Sequence, residues 1–202
     1  MKLNKSATGM SAAVAAAGLM ISLAGAAAAQ GSMDRVFATK AAQGGMAEVT
    51  DSQLALNKSH NSRVRAVASR MIKEHTAANE ELKAVAERKA MALPKQTDPA
   101  HKKAHAKLAR LSGTSFDRAY MGAQERDHAA TVKLFQKEIA MGKDKDLSSF
   151  AAKNLPTIQD HTMMIFQVGS SLGVYAVPMP ALKTGLMPSS MSGKICSFRR
   201  NK

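Results

Sequence analysis

Cysteine is almost missing from this chain of 202 residues: Cys196 stands alone, six places from the end, so no internal disulfide can form. Tryptophan is absent and aromatic residues make up only 4%. That supply is thin for a β-sandwich interior and suits alanine-rich helix packing. Long runs of one charge are also lacking. The basic side chains are scattered singly and few rings interleave with them to stack bases, so nucleic-acid binding is not expected despite a formal net charge of +14. There is no glycine-rich phosphate loop, no Gly-x-Ser-x-Gly elbow and no cysteine-based metal knuckle. With no catalytic motif to anchor it, an enzymatic activity is left open and is not the favoured reading.

What is present begins with an address. Lys2 and Lys5 form a basic start, an apolar stretch follows to about Gly25, and the small-residue tract ends in Ala27-Ala28-Ala29 before Gln30. This is the pattern of a cleaved secretory leader over residues 1–29. The rival is a membrane anchor, but alanine and glycine dominate the run and would insert weakly. No cysteine follows the run to accept a lipid. The expected address is therefore the periplasm. There the basic surface would favour anionic envelope lipid or polymer as a contact.

The body of the chain reads as helices. A first helix is expected over 33–57, capped by Ser32, with Phe37, Ala41, Glu48, Gln53 and Ala55 near one face. In the second, Val64, Val67, Met71, His75, Ala78, Leu82 and Val85 fall at spacings of 3, 4, 4, 3, 4 and 3, a sustained apolar stripe. Pro94 to Ser115 forms a connector holding a short helix over 101–111. His101 and His105 sit four apart there among Lys102, Lys103 and Lys107, which oppose a cation, and read as a solvated face. The third helix, 116–141, carries Met121, His128, Val132, Phe135 and Ile139. The fourth carries Leu147, Phe150, Ala151, Asn154, Ile158, His161, Ile165 and Val168, with Pro156 inside it and a kink expected there. From about residue 174 the periodicity fails, and 174–202 reads as a disordered basic tail. The expectation is an all-α fold: a four-helix bundle over residues 30–173 with a short connecting helix.

Four polar residues, Glu48, His75, His128 and His161, interrupt the apolar stripes of the four long helices, one in each. A rise of about 1.5 Å per residue puts Glu48 about 14 Å before the first hairpin turn and His75 about 20 Å after it. His128 falls about 20 Å before the second turn and His161 about 24 Å after it, so all four sit near mid-bundle. Imidazoles with a carboxylate suit a transition metal or zinc. Glu74, Asp127 and Asp160, each immediately before a striped histidine, lie about 100° round their helices and could orient imidazoles on neighbouring ones. The bland alternative is a buried polar network that fixes helix register without chemistry. Glu125 and His128 also form a single Glu-x-x-His pair. The 14 methionines, with Met163-Met164 near His161, raise copper as a thought. Core packing accounts for Met71 and Met121 more simply.

The segments FATKAAQGGMAEVTDSQLAL, VRAVASRMIKEHTAANEELKAVA, LSGTSFDRAYMGAQERDHAATVKLF and LSSFAAKNLPTIQDH, in this order, resemble the exported bacterial family known as domain of unknown function 4142. The resemblance implies a ferritin-like helical bundle without an established activity, and its pattern falls on Glu48, His75, Asp127, His128, Leu155, Pro156 and His161. The sequence departs from carboxylate-bridged diiron bundles, because Ile72 and Ile158 stand where a Glu-x-x-His motif would place its acids. Zinc, iron or manganese held by Glu48, His75, His128 and His161 is thus the expected cofactor. A metal-free structural or interaction module of the envelope is the alternative.

Overall fold

The structure, a computed structural model, describes the backbone of residues 17–175 and the side chains of residues 33–175. The basic start of the expected leader and all but the first two residues of the expected tail, Cys196 included, lie outside the described residues. Among the described residues the architecture is all-α, with five helices: α1 (Ala17–Lys58), α2 (Ser62–Arg88), α3 (Pro99–Ala109), α4 (Gly113–Met141) and α5 (Lys145–Ser171). Among the described residues no helix is long and apolar enough to cross a membrane.

The helix boundaries follow from local chemistry. Asn61 Oδ1 accepts from the backbone N–H of Arg63 and Val64, and Asp144 Oδ1 does the same for Asp146 and Leu147. Each side chain satisfies N–H groups that a helix start leaves without partners. Asp98 caps α3, with Pro99 in the first turn, where its missing N–H costs nothing. Ser32 does not cap the first helix, because α1 already runs through it from Ala17. The expected cut after Ala29 therefore falls within this helical backbone. Gly44 and Gly45 do not interrupt α1, and Pro156 does not end α5.

Helix α1 packs against α2 and α4, and α5 packs against the same two, so α2 and α4 sit diagonally. Cross-helix contacts give the directions. Ser52 Oγ meets the Tyr120 hydroxyl at 2.9 Å, while Asp34 Oδ1, near the other end, accepts from the Lys143 N–H at 3.0 Å. That makes α1 and α4 antiparallel. Glu81 bonds Lys153 and Lys89 bonds Asp144, so α2 and α5 are antiparallel too. The diagonal pair α2 and α4 therefore runs parallel, which the sequence left undecided. The long connection carrying α3 returns the chain across α1 and α4.

Two apolar sections fill the interior. One gathers Val64, Val67, Met71, Tyr120, Met121 and Ile165; the other gathers Phe37, Leu82, Phe135, Leu147, Phe150 and Ile158. His75, His128 and His161 occupy the layer between them, each within one or two turns of a core residue from both sections. Two stripe assignments fail. Ile139 is 40% exposed, and Gln53 is exposed while Asp51 and Ser52 are buried. Five residues beyond Glu48 is about 140° away round the helix, whereas three or four residues return to the same face.

Candidate metal centre

Each helix delivers its imidazole because the stripe demands a buried side chain at that position. His75 follows Met71 by one turn on α2, His128 precedes Phe135 by two on α4, and His161 lies between Ile158 and Ile165 on α5. All three are buried. Their ring centroids form a nearly equilateral triangle with sides of 5.4, 5.3 and 5.4 Å. One ring nitrogen from each lies within 4.8 Å of the other two. His75 Nε2 is 3.4 Å from His128 Nε2, which is 3.3 Å from His161 Nδ1. A tetrahedral ion bound at about 2.0–2.1 Å sets its nitrogen ligands about 3.3–3.4 Å apart. Two edges of the nitrogen triangle therefore match the ligand spacing of a tetrahedral ion, and the third is no longer than 4.8 Å.

The outer nitrogens decide where the protons sit. His128 Nδ1 is 3.0 Å from the Gln124 carbonyl, which can only accept, so this nitrogen carries the hydrogen and Nε2 is left bare. His161 Nε2 is 2.5 Å from Glu74 Oε2. Burial works against the Glu74 carboxylate, but hydrogen bonds from His161 and Arg70 outweigh it and hold its pKa below the ordinary value. An ionised Glu74 only accepts, so His161 carries its hydrogen on Nε2 and presents a bare Nδ1. Thus two unprotonated nitrogens face each other at 3.3 Å with no hydrogen between them. Glu74 realises the orienting role expected for the acids that precede the striped histidines: it reaches from α2 to an imidazole on α5. Asp160 lies instead 4.0 Å from Arg70. Glu125, the acid of the Glu-x-x-His pair, lies near Tyr175 rather than at the triangle.

Burial keeps the triangle neutral. Desolvation, then the neighbouring His128 and His161, hold His75 well below its ordinary pKa. Desolvation and His161 push His128 down to about 3. Desolvation also lowers His161, although Glu74 pulls the other way. Neutral imidazoles are the ligand form, so no proton has to leave these rings before a cation enters.

Glu48 is buried beside the triangle but is not brought into it. Its Oε1 lies 3.4 Å from His128 Nδ1, the nitrogen turned toward Gln124, and its Oε2 is buried without a hydrogen-bond partner. Desolvation, then the charge of Asp127, raises its pKa well above the carboxylate range. The expectation of a ligand oxygen alongside three nitrogens is therefore met by three nitrogens only. Equal height on four helices does not fix which way round the fourth side chain points.

His101 and His105 depart from the solvated face expected of them. His105 Nδ1 lies 2.6 Å from Oδ1 of the buried Asp51, and His101 Nδ1 lies 2.7 Å from Asp98 Oδ2. His105 ties α3 to α1 through Asp51, and His101 closes on the cap of its own helix through Asp98. Sequence reasoning missed Asp51, whose place one turn from Glu48 was the available signal.

The pattern of the family described as Domain of unknown function (DUF4142) matches residues 21–168. The chain belongs to this family. No curated protein matches it. Among solved structures, a crystal structure titled as a DUF305 fragment from Deinococcus radiodurans is similar, with a TM-score of 0.62 at 14% identity. The likeness covers 69% of this chain and 96% of that one, and at this identity it concerns the fold alone.

Proposed function

We propose that this DUF4142 protein is an exported, periplasmic four-helix bundle that binds one divalent transition metal or zinc through His75, His128 and His161. Holding the ion, in storage, sensing or protection of the envelope, is the role we assign to the site. One long crossover between α2 and α4 suits the ferritin-like connectivity that the family resemblance implies. Glu48 contributes a buried acid next to His128, and Glu74 fixes the ring and proton of His161. The leader-like start and the basic surface support the address and a contact with anionic envelope lipid or polymer.

The observation that carries the metal reading is the pair of bare nitrogens on His128 and His161. A register-fixing polar network would place a hydrogen between every close pair, because an acceptor facing an acceptor in a buried layer is unfavourable. A cation turns the same arrangement into two bonds. Three imidazoles without cysteine favour zinc among the divalent ions, with iron and manganese behind it.

Elemental analysis of the chain purified from its native compartment tests this. About one equivalent of metal is expected, lost in a His75→Ala/His161→Ala double variant. Less than about 0.2 equivalents, unchanged in that variant, would instead support a metal-free interaction module.

A further inference from the structure

Three protein nitrogens leave a tetrahedral ion one position short, and the side chains around the triangle determine what can fill it. Glu74 is engaged with Nε2 of His161, on the far side of the ring from the Nδ1 that faces the centre, so it cannot reach the ion while that bond stands. A crevice of about 40 Å3 adjoins the site, lined by Gly44, Gly45, Glu74, His75, Asn79 and His161, with Lys40 and Glu48 also in its wall; Glu48 Oε1 lies against Nδ1 of His128, the nitrogen turned away from the centre. A water needs roughly 10–15 Å3 of such space, so the crevice admits a guest of one to three heavy atoms.

The two glycines of α1 shape this opening in different ways. A Cβ on Gly45 would lie 1.9 Å from Asn79 Oδ1, so the Asn79 amide rests directly on the bare backbone there. A Cβ on Gly44 would meet nothing within 4 Å. Paired glycines inside a helix weaken it relative to alanine, and here the second is needed for close packing while the first borders free space.

We propose that the ion's fourth position is open to solvent through the Gly44–Gly45 crevice and takes a small inorganic anion in exchange for water. This rests on the metal reading above. Three imidazoles place no negative charge on a divalent ion itself; Glu48 and Glu74 stand behind the rings, and the exposed Lys40 adds positive charge at the crevice wall. In the exchange the anion forms a bond to the ion, water departs, and no electron changes hands.

Cobalt(II) makes the position visible, because its absorption reports coordination number and ligand type. The full chain is loaded with cobalt and titrated with azide, alongside Gly44→Leu and, as a control, Gly44→Ala. The wild type should hold one equivalent of cobalt and show a saturable azide-dependent shift of its visible bands. Gly44→Leu should keep the cobalt and the initial bands yet bind azide about tenfold more weakly or worse, while Gly44→Ala stays like the wild type. One equivalent of cobalt whose bands ignore azide would overturn the open position, meaning that a protein oxygen already fills it. Equal azide affinity in Gly44→Leu and wild type would overturn the crevice as the route. A chain that takes up no cobalt would overturn the metal reading itself, and this inference with it.

Discussion

Five of the imidazoles divide into an outer pair and an inner three, and the two groups show what burial does to one residue type. His101 and His105 lie at the surface of the α1–α3–α4 junction, each with Nδ1 against an aspartate. Their acids are their partners, and the arrangement is complete. His75, His128 and His161 face one another across a layer closed on both sides by apolar side chains. The outward nitrogens of His128 and His161 are satisfied, and their inward nitrogens face each other with no hydrogen between them. A histidine paired with a carboxylate is a tether. Three histidines that face one another, two of them held from behind, form the proposed socket.

The largest break in that contrast should come from removing a socket member. His128→Ala is expected to lower bound zinc from about one equivalent to below about 0.2 and to abolish zinc-dependent thermal stabilisation. At a thousandfold excess over the dissociation constant that stabilisation amounts to about 4 kcal/mol, which calorimetry with and without zinc would read. Glu74→Gln comes next. It keeps the size of the side chain but removes the charge that orders His161, and a loss of about 10–100-fold in zinc affinity is expected with stoichiometry intact. Competition against a chromophoric chelator would measure it.

Acid should distinguish the inner imidazoles in the metal-free chain. Once unfolded, His128 takes up a proton near its ordinary pKa of 6.5, whereas folded it waits until about 3. The unfolded state therefore binds more protons between these limits, and stability falls as the pH drops from about 6.5 toward 3, by roughly 1 kcal/mol per unit for each such ring. Denaturant melts in a chelator should show a shallower slope for His128→Gln. At the far end of the bundle, the buried Glu138 provides the opposite sign. Desolvation and Asp34 push its carboxyl up to about 7, and both of its oxygens lack partners. Its contribution is favourable below about 4.5 and is lost as the pH rises through 7, so Glu138→Gln should stabilise the chain at pH 8 by roughly 1–3 kcal/mol and change little at pH 4. The smallest effect belongs to the outer pair. His101→Ala should leave metal content untouched and cost less than about 1 kcal/mol.

The stripe of α2 was fully legible, since every member from Val64 to Val85 except the half-buried Ala78 is buried where its spacing predicts. The three histidines were legible for the same reason: a polar residue at an apolar position must face inward. Mid-bundle height could be counted from the rise per residue. Rotation could not, which is why Gln53 was placed on a face that Asp51 and Ser52 occupy, and why Glu48 arrives beside His128 rather than among the three rings. A glycine pair within a helix is compatible with either a weak point or a close approach, and only the position of Asn79 distinguishes the roles of Gly44 and Gly45. The diagonal pairing of α2 with α4 was hidden because a connector of that length can reach either neighbour. The outer pair misled for a simple reason: Lys102, Lys103 and Lys107 are adjacent in sequence and stand out there, whereas Asp51, the partner of His105, is distant in sequence and in contact.

Anomalous diffraction from a zinc-soaked crystal at the zinc edge addresses the socket most directly. One peak should appear about 2.0–2.1 Å from His75 Nε2, His128 Nε2 and His161 Nδ1 together. A density map with no anomalous signal at that point, or with its strongest peak at His101 and His105 instead, would contradict the account.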